Sequence, residues 1–300
     1  MKIILTGAAS AICREIAGTL DSFSVEREAS PSLVSMSLMT RYPNLISPEV
    51  IKKHQVITGD YADKKAMEEV FIGNDILFLA PAERAPEREQ LHRNAIEAAQ
   101  STGIRHIVYL SFMGAGREKP SSFGLSHLKT EQILAKSGVN YTILRSGFTL
   151  ESLEIFRNNS RVFWGPIHSE GCAFIAQRDV SDCIVSVLVD VASGGGGGHN
   201  GRIYTLTGPR VLTIPEVLKK INDFLPSQMA FSFCPLSANE AIERFKSMGE
   251  KNIPGLYEQW KELFEAVEQG EFNLVTKDVQ KLLGTPGREI DKWLESASLI

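Results

Sequence analysis

Thr6-Gly7-Ala8-Ala9-Ser10-Ala11-Ile12-Cys13 is the stretch of this sequence best suited to hold a phosphate. It follows a short apolar run, Lys2 to Thr6, and leads into Ile12, Ile16, Ala17 and Leu20 at helical spacing. A strand that turns at a glycine into a helix offers free backbone N–H groups and the positive end of the helix dipole to an anion. In dinucleotide-binding loops one glycine makes the turn. A second lets the backbone approach the diphosphate, and a third lets helix pack on strand. Gly7 meets the first need, while Ser10 and Cys13 occupy the second and third places. Cys13 is small enough to pack. Ser10 puts a Cβ where the diphosphate approaches, yet its hydroxyl can donate to a phosphate oxygen. The second strand ends Met39-Thr40-Arg41, with no carboxylate. An acid there suits the ribose of NAD, and an arginine suits the 2′-phosphate of NADP. Arg41 thus favours NADP, or is a solvated surface cation. His127 is the candidate proton donor, because an unperturbed histidine titrates near neutrality. Its alternative role is a helix-terminal residue bonded to backbone.

These residues need a scaffold that brings them to one edge. Apolar runs predict strands over 2–6, 33–39, 55–58, 75–80, 106–110 and 141–144, and helical spacing predicts helices over 10–20, 64–71, 86–102 and 127–136. Strands alternating with helices give an α/β, doubly wound, mostly parallel Rossmann-type sheet covered on both faces. Its ligand crevice lies at the carboxyl ends of the strands. The residues placed there are 7–12, 40–41, 59–61, 80–82, 111–114 and 145–148. Beyond residue 150 the rhythm changes. A helix to about Asp190 is followed by five glycines, 194–198, which read as a flexible loop. A strand over 202–206 and a helix over 213–224 come next, with Thr213 and Glu216 spaced as a capping box. Residues 236–270 are amphipathic and helical, and Leu256, Trp260, Leu263, Phe264 and Val267 form a stripe that reads first as core. The expected division is a dinucleotide-binding-type domain over 1–150 and a smaller, mainly helical, discontinuous lobe over 151–300, with strands returning to the main sheet. Met113, Phe148, Trp164, Trp260 and Phe264 are the candidates for a substrate pocket.

The 300 residues carry 32 Lys plus Arg against 36 Asp plus Glu, a net charge of −4 with no basic run, which makes nucleic acid a poor partner. The four cysteines contain no C-x-x-C, against a zinc site or a disulfide framework. No two histidines have metal-ligand spacing, and no G-x-S-x-G occurs. The opening apolar run is too short for a signal peptide, and no run spans a membrane. The expectation is a soluble, cytoplasmic protein with a small-molecule substrate, with homo-oligomerisation compatible with the composition.

The segments IILTGAAS, VITGDYAD, DILFLAPA, GIRHIVYLSFMGAG, HLKTEQILAKSGVNYTILRSGFTLE, QRDVSDCIVSVL, GRIYTLTGPRVLTIPEVLKKI and FNLVTKDVQKLLGTPGREIDKWL stand in this order across nearly the whole chain. In that arrangement the sequence resembles the NmrA-like group of atypical short-chain dehydrogenase/reductases. The resemblance implies that Thr6, Gly7, Ala8, Ser10, Ala11 and Ile12 form the phosphate loop and that Arg41 takes the 2′-phosphate. It implies Asp60 and Tyr61 beside the adenine, and Ala80 and Pro81 beside adenosine and ribose. Ser111 and Phe112, with Met113, and Gly147 and Phe148 fall near the nicotinamide. The Tyr-x-x-x-Lys acid–base pair of related enzymes is absent: Lys129 is present, but Leu125 stands where the tyrosine belongs. His127 and Lys129 remain the catalytic candidates. Tyr109 reads as core, and His168 and Glu170 lie in a loop that edges the pocket or covers the surface. Three activities follow from the resemblance: an NADPH-dependent reductase of a quinone-, enone- or iminium-like substrate, plausible in secondary metabolism; a non-redox isomerase or cyclase with an idle cofactor site; and an NADP-sensing regulator without turnover.

Overall fold

Apolar runs too short for a helix build the sheet. β1 (Lys2–Thr6) buries Ile3, Ile4 and Leu5 completely, and all four side chains of β4 (Ile76–Leu79) are buried. Strands buried on both faces need helices above and below. The computed structural model describes residues 1–25, 35–82, 87–157, 161–167, 169–247 and 255–296. Between and after these strands come α1 (Ala11–Val25), β2 (Ser35–Thr40), α2 (Pro48–Lys53), β3 (Gln55–Thr58) and α3 (Lys64–Phe71). Then follow α4 (Arg88–Ser101), β5 (His106–Phe112), α5 (Ser122–Lys136), β6 (Asn140–Ser146), β7 (Val162–Gly165), α6 (Gln177–Ala192) and β8 (Arg202–Leu206). The remainder is α7 (Ile214–Asp223), β9 (Ser232–Pro235), α8 (Ala238–Ser247), α9 (Leu256–Glu268), α10 (Asp278–Leu283) and α11 (Ile290–Ser296).

Seven strands form one sheet in the order β3-β2-β1-β4-β5-β6-β8. β1 is parallel to both β2 and β4, with Ile4 opposite Ser37 on one side and Leu77 on the other. The winding therefore reverses between β1 and β4, where a Rossmann-type sheet opens a crevice at its carboxyl edge.

The chain divides into two units that interleave along the sequence. The first comprises residues 1–112, 126–145 and 180–204. Its core joins Ile4, Leu77, Ile107 and Ile143 from the sheet to Met67 and Phe71 of α3, Ala95 and Ala99 of α4 and Leu134 of α5. The second comprises residues 113–125, 146–179 and 205–300 and is mainly helical. It holds the parallel pair β7–β9 and α7 to α11. In α7, Ile214, Val217, Leu218 and Ile221 are buried at helical spacing. Its start is the capping box: the Thr213 hydroxyl accepts from the Glu216 amide at 3.3 Å, and the Glu216 carboxylate accepts from the Thr213 amide at 2.7 Å.

Several elements differ from the spacing-based reading. α5 begins at Ser122 rather than His127, which puts His127 inside the helix and not ahead of it. The glycine run is not a featureless loop: Gly195–Gly198 form a 3₁₀ turn, and Gly196 accepts from the amides of His199 and Asn200 at 3.1 and 3.0 Å. β7 and β9 have no counterpart in the sequence reading, because each is four residues long and finds its partner far along the chain. Leu33, Pro86 and His168 lie outside the described residues. No described helix is long and apolar enough to cross a membrane.

Candidate functional site

The carboxyl ends of β1 to β4 surround a cleft of about 350 Å³, whose wall includes Gly7, Ala9, Ser10, Ile12, Arg41, Tyr42, Asp60, Tyr61, Ala80, Pro81 and Ala82. Its floor is tied by Thr6. The Thr6 hydroxyl donates to the Phe78 carbonyl and accepts from the Ala80 amide, both at 2.9 Å, and so fastens the end of β1 to the end of β4. The Tyr61 hydroxyl donates into the same knot, 2.6 Å from Thr6 Oγ1 and 2.8 Å from the Ala80 carbonyl oxygen. Burial of this phenol end raises its pKa, so Tyr61 stays a donor. Gly7 then turns the chain with φ of +69°, and a Cβ there would lie 2.8 Å from the Ala80 Cβ. Both the conformation and the space demand glycine.

The two departures from the glycine pattern are accommodated in different ways. The Ser10 hydroxyl caps α1, accepting from the Cys13 amide at 3.3 Å. Acting as acceptor there, it keeps its own proton for a group in the cleft. The Cys13 thiol is buried and donates to the Thr6 carbonyl at 3.1 Å, so the third position packs helix on strand without a glycine. The amides at the start of α1 have no intrahelical acceptors, as at any helix N-terminus. Ala8 is sealed beneath, its amide donating to the Met39 carbonyl at 3.0 Å, and Ala11 is exposed. Arg14, which the sequence reading passed over, reaches back from the first turn of α1 to the Ala9 carbonyl at 2.6 Å.

Arg41 is exposed at the cleft rim and lies against the Tyr42 ring, 5.3 Å from its centroid. It has no carboxylate partner among the described residues. Asp60 is half-buried and turns the chain after β3, its carboxylate accepting from the Ala62 amide at 3.0 Å. Its charge is thus partly committed to its own loop.

The expected nicotinamide-side and catalytic residues are placed differently. Ser111 is buried and donates to Glu131 at 2.6 Å, and Arg145 grips the same carboxylate through Nε at 2.9 Å and a second nitrogen at 2.6 Å. This pair binds α5 to the ends of β5 and β6. Phe112 is half-buried, its ring 6.1 Å from that of His127. His127 is buried, with Nδ1 2.7 Å from the hydroxyl of the buried Tyr109. Burial first, then the charge of Arg88, holds the His127 ring well below its ordinary pKa. The expectation that it titrates near neutrality therefore does not hold; its surroundings keep it neutral. Lys129 points to the surface and pairs with Glu89 at 2.9 Å. Neither lines the cleft, and neither do Ser111 or Phe112 of the same unit.

In the second unit, Gly147 and Met113 meet: a Cβ on Gly147 would lie 3.2 Å from the Met113 sulfur. Phe148 packs edge-on to Phe272 at 4.9 Å. Trp164 and Phe264, two of the candidates for a substrate pocket, are core residues, 0% and 1% exposed. Both pack on Phe245, with ring centroids 4.7 and 5.9 Å away, and Trp260 completes the cluster, half-buried, at 4.9 Å from the same ring. Glu170 is exposed. No described group of three or more His, Cys, Asp or Glu side chains is placed to hold a metal.

A family model described as NAD(P)H-binding matches residues 26–190, more than half of the chain. The chain is 27% identical to a (4-alkanoyl-5-oxo-2,5-dihydrofuran-3-yl)methyl phosphate reductase of Streptomyces griseus, over 97% of this chain and 96% of that one. It is 26% identical to quinone oxidoreductase 2 of Escherichia coli, over 76% and 77% of the two chains. The solved structure of an NADPH-dependent quinone oxidoreductase of Escherichia coli, complexed with NADPH, shares the fold with a TM-score of 0.80 at 23% identity, over 98% of this chain and 99% of that one.

Proposed function

The chain belongs to the NAD(P)H-binding family, and from that premise we propose that it is an NADPH-dependent reductase of a small organic hydride acceptor. The observation that carries the reading is Arg41, an exposed cation at the rim of the cleft, at the end of the second strand, where no carboxylate stands. In this position a guanidinium recognises the 2′-phosphate and an acid would exclude it. Ser10 and the first amides of α1 hold the diphosphate, with the serine hydroxyl donating where a glycine would only make room. The knot of Thr6, Tyr61 and Ala80 keeps the floor rigid. NADPH supplies hydride when bound.

The acceptor class follows from what is missing beside the cleft. Leu125 replaces the relay tyrosine, Lys129 is engaged at the surface with Glu89, and His127 is buried and neutral. The substrate is therefore one that takes hydride without prior protonation, a quinone-, enone- or iminium-like compound, with water delivering the proton that a quinone or enone product then takes up. The relatives that reduce a quinone and a dihydrofuranone phosphate support this class, as does the resemblance to the NmrA-like group.

The test is calorimetric titration of the whole chain with NADPH and NADH, followed by NADPH oxidation against a panel of quinones. Expected are a dissociation constant of about micromolar or tighter for NADPH, about tenfold or more preference over NADH, and oxidation with at least one quinone. Binding of neither nucleotide overturns the reading. NADPH binding with no oxidation by any acceptor class leaves a sensor, and turnover with the nucleotide omitted leaves a non-redox enzyme.

A further inference from the structure

Arg88 and His92 lie one turn apart on α4, and both reach Ala82, a wall residue of the cleft. Arg88 Nε donates to the Ala82 carbonyl at 2.9 Å, and His92 Nε2 accepts from the Ala82 amide at 2.8 Å. Both polar groups of one loop residue are thus held by one helix. A loop on a protein surface ordinarily leaves such groups to water. These holders are themselves interior: Arg88 is 5% exposed and His92 is 0%. Burying a guanidinium and an imidazole is costly, and here both are buried where they grip the same short wall.

The acceptor role of Nε2 sets the tautomer. Nδ1 carries the proton and donates to Thr130 Oγ1 at 2.8 Å, and Thr130 in turn donates to the Ser126 carbonyl at 3.2 Å. Arg88 reaches the Ser126 hydroxyl at 2.5 Å. The wall is therefore anchored through α4 to α5. His92 also backs a second part of the cleft: its ring meets that of Tyr61 edge-on, centroids 5.8 Å apart. The Tyr61 main chain is held from the same helix, Asn94 donating to its carbonyl at 2.9 Å.

We infer that Arg88 and His92 are positioning residues that fix the Ala80–Ala82 wall and the Tyr61 ring, so that the nucleotide meets a preformed surface. Neither touches reacting atoms; they act by removing the ordering that binding would otherwise require. The inference rests on the cofactor reading above, and its failure is separable from the failure of that reading.

The experiment compares the whole chain with its His92→Leu, His92→Gln and Thr130→Val variants. NADPH dissociation constants are measured at a temperature where circular dichroism shows each protein folded. His92→Leu removes both hydrogen bonds and is expected to raise the constant about tenfold or more. His92→Gln keeps an acceptor near the Ala82 amide and is expected to recover most of that loss. Thr130→Val leaves Nε2 in place but frees Nδ1, with an expected rise of about three- to fivefold. A purely structural role would lower thermal midpoints without moving the constants of the folded proteins, and unchanged constants overturn the inference. If His92→Leu does not fold, Thr130→Val decides alone in the same way. If the unaltered chain binds no NADPH, the cofactor reading itself has failed.

Discussion

Gly7→Ala tests the floor of the cleft more directly than any other substitution. Two penalties act there. The residue has φ of +69°, and a side chain in the left-handed region costs about 1–2 kcal/mol. The new methyl would also lie 2.8 Å from the Ala80 Cβ, well inside the ordinary contact distance of about 3.5–4.0 Å. Relieving such overpacking costs about 1–3 kcal/mol. The expected destabilisation is therefore about 2–5 kcal/mol, read from urea midpoints at constant m value. The two parts separate in an Ala80→Gly background. There the clash disappears and the backbone strain stays, so Gly7→Ala should cost only about 1–2 kcal/mol. NADPH affinity should fall in both backgrounds, since the strained turn displaces the loop proposed to hold the diphosphate. The reasoning is refuted if the cost of Gly7→Ala is the same in both backgrounds within about 0.5 kcal/mol. A cost below about 1 kcal/mol in both would refute the turn geometry as well.

Arg41→Gln should weaken NADPH about tenfold or more, as expected for loss of a charged hydrogen bond worth about 1.5–3 kcal/mol, and leave NADH within about twofold. The NADPH constant of the unaltered chain should also rise with salt more steeply than that of the variant, because the exposed guanidinium is screened; equal losses for the two nucleotides would count against a 2′-phosphate role. Acid should destabilise the fold through its buried histidines. Burial holds His92 at about 3 and His106 at about 4, so both rings stay neutral in the folded protein after their unfolded counterparts, near 6.5, have taken up a proton. The unfolded state then binds more protons, and stability is lost as pH falls from about 6.5 toward 4 and 3, by about 2 kcal/mol per ring at pH 5. In His106→Gln the loss in urea stability between pH 8 and pH 5 should be smaller by about that amount, and an unchanged loss would show that His106 does not carry it.

The fold was legible in the sequence because its signals are local. KIILT before Gly7 and DILFLA before Pro81 read as buried strands from their apolar runs alone, and β3, α3 and β8 fall on the predicted residues. Thr213 and Glu216 announce the start of α7 through contacts three residues apart. The turn at Gly7 and the strand end before Arg41 are legible for the same reason, since both are set by neighbours in the chain. β7 and β9 are not legible because each exists only through the other, and the expected start of α5 falls five residues late because its first residues have little apolar periodicity.

Which side chains face the cleft was a different matter. The sequence by itself determined the strand–turn–helix order, the crevice at the carboxyl edge and the cation at its rim, all consequences of local sterics and hydrophobic spacing. Only tertiary packing decided that Cys13 is satisfied by a strand carbonyl, that His127 is enclosed and neutral, and that Trp164 and Phe264 belong to a core. Only packing, too, brought Arg88 and His92 of one helix onto Ala82 of a loop. Burial and hydrogen-bond partnership depend on residues far away in sequence, and these set whether a histidine is a proton donor or a strut.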